Sequence, residues 1–96
     1  MEKSERPPFQ FIVSSDVLAE PIGSEMVLVN LGTDRMYELN HSACRVWQLL
    51  SDGFGREAIV MQITREFEVD EAQFSAELER FVAELVQDGI IHSPGL

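Results

Sequence analysis

The chain changes its hydrophobic period once, at Asn40, and that switch limits what it can fold into. Before it, apolar residues alternate or cluster as in strands. After it, they recur every three or four residues, as on helices that face a core. Residues 26 to 31 (MVLVNL) form a β-branched run between Ser24 and Gly32, which predicts a strand buried on at least one face. Gly32-Thr33-Asp34 supplies turn chemistry, and residues 35 to 39 (RMYEL) alternate. Arg35, Tyr37 and Leu39 then share one face, with Met36 and Glu38 on the other. The two segments make a hairpin. A further short strand is expected near 17 to 20, with Pro21 breaking the stretch.

Beyond Asn40, three helices are expected. In the first, Ala43, Val46, Trp47 and Leu50 share a face, Asn40 or Ser42 serves as the cap, and Asp52-Gly53 is the stop. The second, about residues 56 to 67, carries Ile59, Ile63 and Phe67 at four-residue spacing, supported by Val60. The third has the clearest start: Asp70 as cap, Gln73 three residues later, and Val69 placed to meet Phe74 as a hydrophobic staple. It runs to about Asp88, with Phe74, Leu78, Phe81, Val82 and Leu85 in one stripe, and Gly89 ends it. Ile90 and Ile91 follow as an apolar tail.

Strands followed by helices make an α+β fold, a three-stranded antiparallel sheet followed by three helices. A sequential meander leaves its first and third strands at the edges, so the 35 to 39 strand has an unpaired side. At 96 residues the chain supports one core. Residues 1 to 8, ending in two prolines, are expected as a flexible arm, and residues 9 to 96 as a single domain.

Charge narrows the function. Seventeen acidic residues against seven basic ones give a formal net charge of -10, with no Lys/Arg cluster. That balance is wrong for neutralising nucleic-acid phosphates or anionic lipid surfaces. Cys44 is the single cysteine, so no internal disulfide can form, and with only His41 and His92 beside it no four-ligand zinc spacing exists. A reducing, cytoplasmic setting is expected. No apolar run approaches the roughly 18 residues of a membrane span, and Met1 to Pro8 lack a signal-peptide core.

Catalytic candidates do not assemble. Cys44 lies three residues from His41 near a helix start, where a thiolate could be stabilised, but a buried structural thiol beside a helix-end histidine explains the pair as well. The pairs Glu66/Glu68 and Glu77/Glu84 fall on the solvated sides of helices, and Trp47 sits in a core stripe. The glycines are isolated and show no phosphate-cradling spacing. The expectation is a protein with no catalysis of its own, no cofactor and no metal.

The segment VLVNLGTDRMYELNHSACRVWQLLSDG, Val27 to Gly53, resembles the PqqD-like family, small recognition elements for ribosomally made, post-translationally modified peptides. The hairpin ending in Leu39-Asn40, the Ser-Ala helix start, Val46-Trp47 with Leu49-Leu50, and the closing Asp52-Gly53 carry the likeness. Ile63 to Ile91 adds a last helix with a valine-aspartate entry and a glycine-plus-apolar-pair ending.

The resemblance implies a winged helix-turn-helix-like domain that binds the leader peptide of a precursor and does no chemistry itself. It implies that the leader adds as a strand along Asp34, Arg35, Met36, Tyr37, Glu38 and Leu39. On the last helix it implies contacts from among Gln73, Phe74, Glu77, Leu78, Arg80, Phe81, Val82 and Leu85. The partner it implies is a leader peptidase of the cysteine-protease type in lasso-peptide biosynthesis, which the Gly32-to-Arg35 turn and Tyr37 favour. The alternative is a radical SAM enzyme, as in quinone-cofactor biosynthesis. A winged-helix DNA binder is the other reading of such a fold, but Glu71, Glu77, Glu79, Glu84 and Asp88 outnumber Arg80 on the helix that would meet phosphate.

Overall fold

The protein is represented by a computed structural model that describes residues 10–93. The expected arm at residues 1 to 8, and Phe9, lie outside them. The elements are β1 (Ile12–Val13), β2 (Val17–Ile22), β3 (Glu25–Asn30), β4 (Arg35–Leu39), α1 (His41–Ser51), α2 (Arg56–Glu66), α3 (Glu71–Gln87) and β5 (Ile91–His92). Strands β2, β3 and β4 form an antiparallel sheet in that order, as the sequence predicts, with β4 at one edge and β2 at the other. Helix α1 packs on its inner face, α2 packs against α1 and α3, and α3 packs against β5.

Register places Met26, Leu28 and Asn30 of β3 on the inner face beside Leu39, Tyr37 and Arg35 of β4. Leu28 is fully buried and Leu39 nearly so. Around them pack Val46, Trp47, Leu49 and Leu50 of α1, Ile59 and Ile63 of α2, and Leu78, Val82 and Leu85 of α3. Each such side chain contributes about 1.5 to 3 kcal/mol relative to exposure. Trp47 and Cys44 are both core residues.

Local signals explain the helix limits. Asn40, not Ser42, caps α1, its Oδ1 accepting from the Ala43 N–H at 2.9 Å. Asp70 caps α3 in the same way, accepting from the Gln73 N–H at 2.9 Å. Only half of the expected capping box forms, because the Gln73 amide donates onward to Glu77 at 3.4 Å. Val69 stays 43% exposed, so a staple to Phe74 covers little area.

Both predicted glycine stops close as six-to-one turns. After α1, the Phe54 N–H bonds the Leu49 carbonyl and the Gly53 N–H the Leu50 carbonyl. After α3, Ile90 bonds Leu85 and Gly89 bonds Val86. Each turn needs a left-handed residue, supplied by Gly53 (φ 91) and Gly89 (φ 75).

Two expectations need correction. Pro21 does not end its strand; β2 runs on through it to Ile22. The bond from the Leu31 N–H to the Asp16 carbonyl, 2.9 Å, brackets the Val17/Asn30 pair and makes it a non-hydrogen-bonded one. Alternation along the register then turns the Pro21 nitrogen toward the open side, where no ladder donor is missing. The apolar tail is also more than a tail. Ile91 and His92 pair with Val13 and Ile12 as a two-stranded ribbon, and Ile90 and Ile91 are buried. That pairing joins segments nearly eighty residues apart, beyond the reach of local periodicity.

Candidate functional site

The same alternation defines what β4 offers. Asn30, non-bonded to β2, directs its N–H and C=O toward Arg35, so Arg35, Tyr37 and Leu39 face β3 with their main-chain groups. The N–H and C=O of Met36 and Glu38 point the other way, to the open side of β4. Their side chains lie on the outer face, and Met36 is 63% exposed. Asp34 and Arg35 are exposed as well; Tyr37 is half-buried and Leu39 is core. Asp34 takes a left-handed conformation, φ 66, which an aspartate tolerates in a turn.

Helix α3 packs its backbone closely on α2 and β5 but stands off from β4. What spans the gap is Tyr37, whose hydroxyl donates to the Asp88 carboxylate and reaches the Glu84 carbonyl at 3.5 Å. Behind it Asn30, 3% exposed, ties the turn to the same helix end. Its Nδ2 donates to the Asp88 carbonyl at 3.1 Å, and its Oδ1 accepts from the Gly32 N–H at 2.9 Å. A Cβ on Gly32 would lie 3.0 Å from the Asp16 carboxylate and 3.3 Å from Asn30 Oδ1, so a larger residue would crowd the turn and push on the Asn30 side chain. One end of the β4/α3 gap is thus closed by a polar lock.

The other end opens into a cavity of about 210 Å³, lined by Asn40, Ser42, Ala43 and Val46 from the start of α1 and by Phe74, Glu77, Leu78 and Phe81 from α3. Its floor is apolar and it begins one residue past the end of β4. A larger cavity of about 620 Å³ lies between α2 and α3, bordered by residues such as Arg56, Met61 and Glu79. It touches none of the expected site residues, whereas the smaller cavity starts at Asn40, next to the end of β4.

Of the helix residues expected at the site, Phe74, Glu77, Leu78 and Phe81 line this cavity together. Gln73 and Arg80 are exposed, while Val82 and Leu85 are buried in the core. Asn40, Ser42, Ala43 and Val46 were not expected at the site. Their cap and stripe roles account for them fully in sequence, and only the tertiary fold sets the start of α1 opposite α3 across the cavity. Glu84 and Asp88 were also missed, although helical spacing from Glu77 through Phe81 leads to them.

Charge around the gap is uneven. Asp34, Glu77, Glu84 and Asp88 border it, against Arg35 and Arg80, while the Glu38 side chain lies on the outer face. Among the described residues the ion pairs lie elsewhere. Arg45 holds Glu66 at 2.9 Å, and Arg56 meets Glu79. Hydrogen bonds from Arg45 first, and from Gln62, hold the Glu66 carboxyl down at about 2. As for the catalytic pair, Cys44 is buried, and exposed His41 sets its ring edge-on to Phe67 at 5.5 Å rather than against the thiol. Among the described residues no group of three or more His, Cys, Asp or Glu is placed to hold a metal. Among them, too, no helix is long and apolar enough to cross a membrane.

The sequence pattern of the family described as Coenzyme PQQ synthesis protein D (PqqD) matches residues 25–91. The chain belongs to the PqqD family. Two solved structures are similar to this PqqD-family chain. One is TbiB1 in complex with the TbiA(beta) leader peptide, 28% identical, covering 88% of this chain and 98% of that one, with a TM-score of 0.78. The other is a lasso peptide synthetase B1 complexed with the leader peptide, 21% identical, covering 88% and 99%, with a TM-score of 0.80; it shares the fold. No curated protein matches the chain.

Proposed function

We propose that this PqqD-family protein captures the leader segment of a ribosomally made precursor peptide as an added strand on β4, and presents it to a separate enzyme. The observation that carries the reading is the open side of β4, where Met36 and Glu38 offer unpaired main-chain groups beside a helix that stands off and an apolar cavity. Strand addition draws affinity from such main-chain bonds and specificity from pockets for alternate side chains. Asp34 to Leu39 form the pairing strand, and Phe74, Glu77, Leu78 and Phe81 receive a leader side chain. Gln73 and Arg80 meet its polar groups; Val82 and Leu85 hold the helix from beneath.

The protein acts by binding and needs no cofactor of its own. Lasso-peptide biosynthesis is the favoured setting, in the cytoplasm, with a cysteine-protease leader peptidase as the receiving enzyme. The likeness to TbiB1, solved with a bound leader peptide, at 28% identity, supports leader capture. The family's description favours a second reading, delivery to a radical SAM enzyme of quinone-cofactor synthesis.

The test is fluorescence anisotropy with the labelled leader of the precursor encoded beside this gene, wild type against Met36→Pro. Proline removes one outward donor and leaves the β3 ladder intact, so affinity should fall about tenfold or more while circular dichroism is unchanged. Unchanged affinity in the folded variant rules out strand addition on β4.

A further inference from the structure

We infer that the peptide fitted to the β4/α3 gap is cationic, carrying lysine or arginine on either side of the residue that enters the cavity. The inference rests on the binding reading above and adds the chemical class of the ligand. Three observations lead to it. First, the helix edge that overlooks the gap is Glu77, Phe81, Glu84 and Asp88, a run at four-, three- and four-residue spacing that lies on one side of α3. Tyr37 fixes which side that is, because it bonds Asp88 and the Glu84 carbonyl from β4. Phe81 and Glu77 enter the cavity, so carboxylates flank its apolar floor.

Second, no ion pair among the described residues compensates these charges. Among the described residues, Arg45 and Arg56 are engaged by Glu66 and Glu79, away from the gap. Glu77 and Asp88 accept hydrogen bonds from uncharged Gln73 and Tyr37, and among the described residues neither they nor Glu84 forms an ion pair. Arg35 and Arg80 are the bordering cations, against the four acids Asp34, Glu77, Glu84 and Asp88. Third, the whole chain carries -10, so the field at the gap is reinforced rather than cancelled. A strand added to β4 satisfies main-chain donors and acceptors regardless of sequence. Its side chains are then the part that meets this field, and an acidic segment would be repelled on approach.

The test uses two labelled synthetic peptides built on the neighbouring precursor's leader, identical except that the positions flanking the anchor residue are all lysine in one and all glutamate in the other. Association rate and Kd are measured at low and high salt, with wild type and with Glu77→Gln/Glu84→Gln. The lysine peptide should bind about tenfold or more tightly, mainly through a faster association rate. The preference should shrink both in high salt and in the double variant, whose exposed, near-isosteric changes leave the helix intact. Equal binding of both peptides, or tighter binding of the glutamate peptide, overturns the charge inference while leaving strand addition standing. Failure of both peptides to bind overturns the two together.

Discussion

The sheet has two edges, and they are built to opposite ends. β2 is exposed along almost its whole length and carries Pro21 with its nitrogen on the open side, so one of the donors that another strand would need is missing. β4 has no proline; Met36 and Glu38 offer intact donors and acceptors, and α3 with its cavity stands beside them. An open edge alone invites indiscriminate pairing. What distinguishes β4 is a neighbour that can select what pairs, and the comparison teaches that selectivity resides in the helix while the strand supplies adhesion.

The contrast can be broken most strongly at the cavity. Ala43→Leu fills it from α1 without disturbing a helix-favouring position. Leader affinity should drop tenfold to a hundredfold, the worth of one buried apolar side chain, with little change in thermal stability. Calorimetric titration checks the first and thermal unfolding the second. Next in size is the lock at the closed end. Tyr37→Phe removes the bond to Asp88, costing about 1 kcal/mol and lowering Tm by about 4 to 8 °C in differential scanning calorimetry.

A smaller effect is expected at the other edge. Pro21→Val restores the missing donor on β2, so leader affinity should stay within about twofold while sedimentation velocity shows concentration-dependent self-association. A loss of leader binding there would mean that the peptide uses the wrong edge in this account. Smallest is the Arg45–Glu66 pair, which sits on the β2 side, Arg45 bordering a hollow with Pro21 and Met26. Glu66 titrates at about 2, below the ordinary glutamate range near 4.3, so the charged form is favoured by folding. Its contribution is complete above that ordinary range and disappears as pH falls toward 2. Thermal unfolding of wild type and Glu66→Gln should therefore converge as the pH is lowered, with leader affinity at neutral pH the same in both.

Much of the fold could be read from local pattern. The β4 segment, the Asn40 and Asp70 caps and the Gly53 and Gly89 stops are each specified by neighbours within a few residues. What escaped was long range or edge dependent. Pairing of β1 with β5 depends on residues far apart in the chain, and the passage of β2 through Pro21 depends on which side of the strand stays unpaired. The site divides along the same line. The strand half was legible because edge position follows from strand order. The helix half was mixed, since Phe74 and Leu85 share one stripe yet only Phe74 reaches the cavity. Angular position on a helix ranks residues toward the core, but where α1 and α3 part around the cavity decides where the core ends.

The β1/β5 ribbon carries a consequence of another kind. Because Ile12 lies across from His92, the two ends of the described chain leave the molecule side by side. Such a domain can be spliced into a loop of another protein, or have its ends joined and be reopened at the exposed Gly23-Ser24 turn, without unpicking the sheet or the cleft. The fold behaves as a portable cassette whose attachment point is its ribbon.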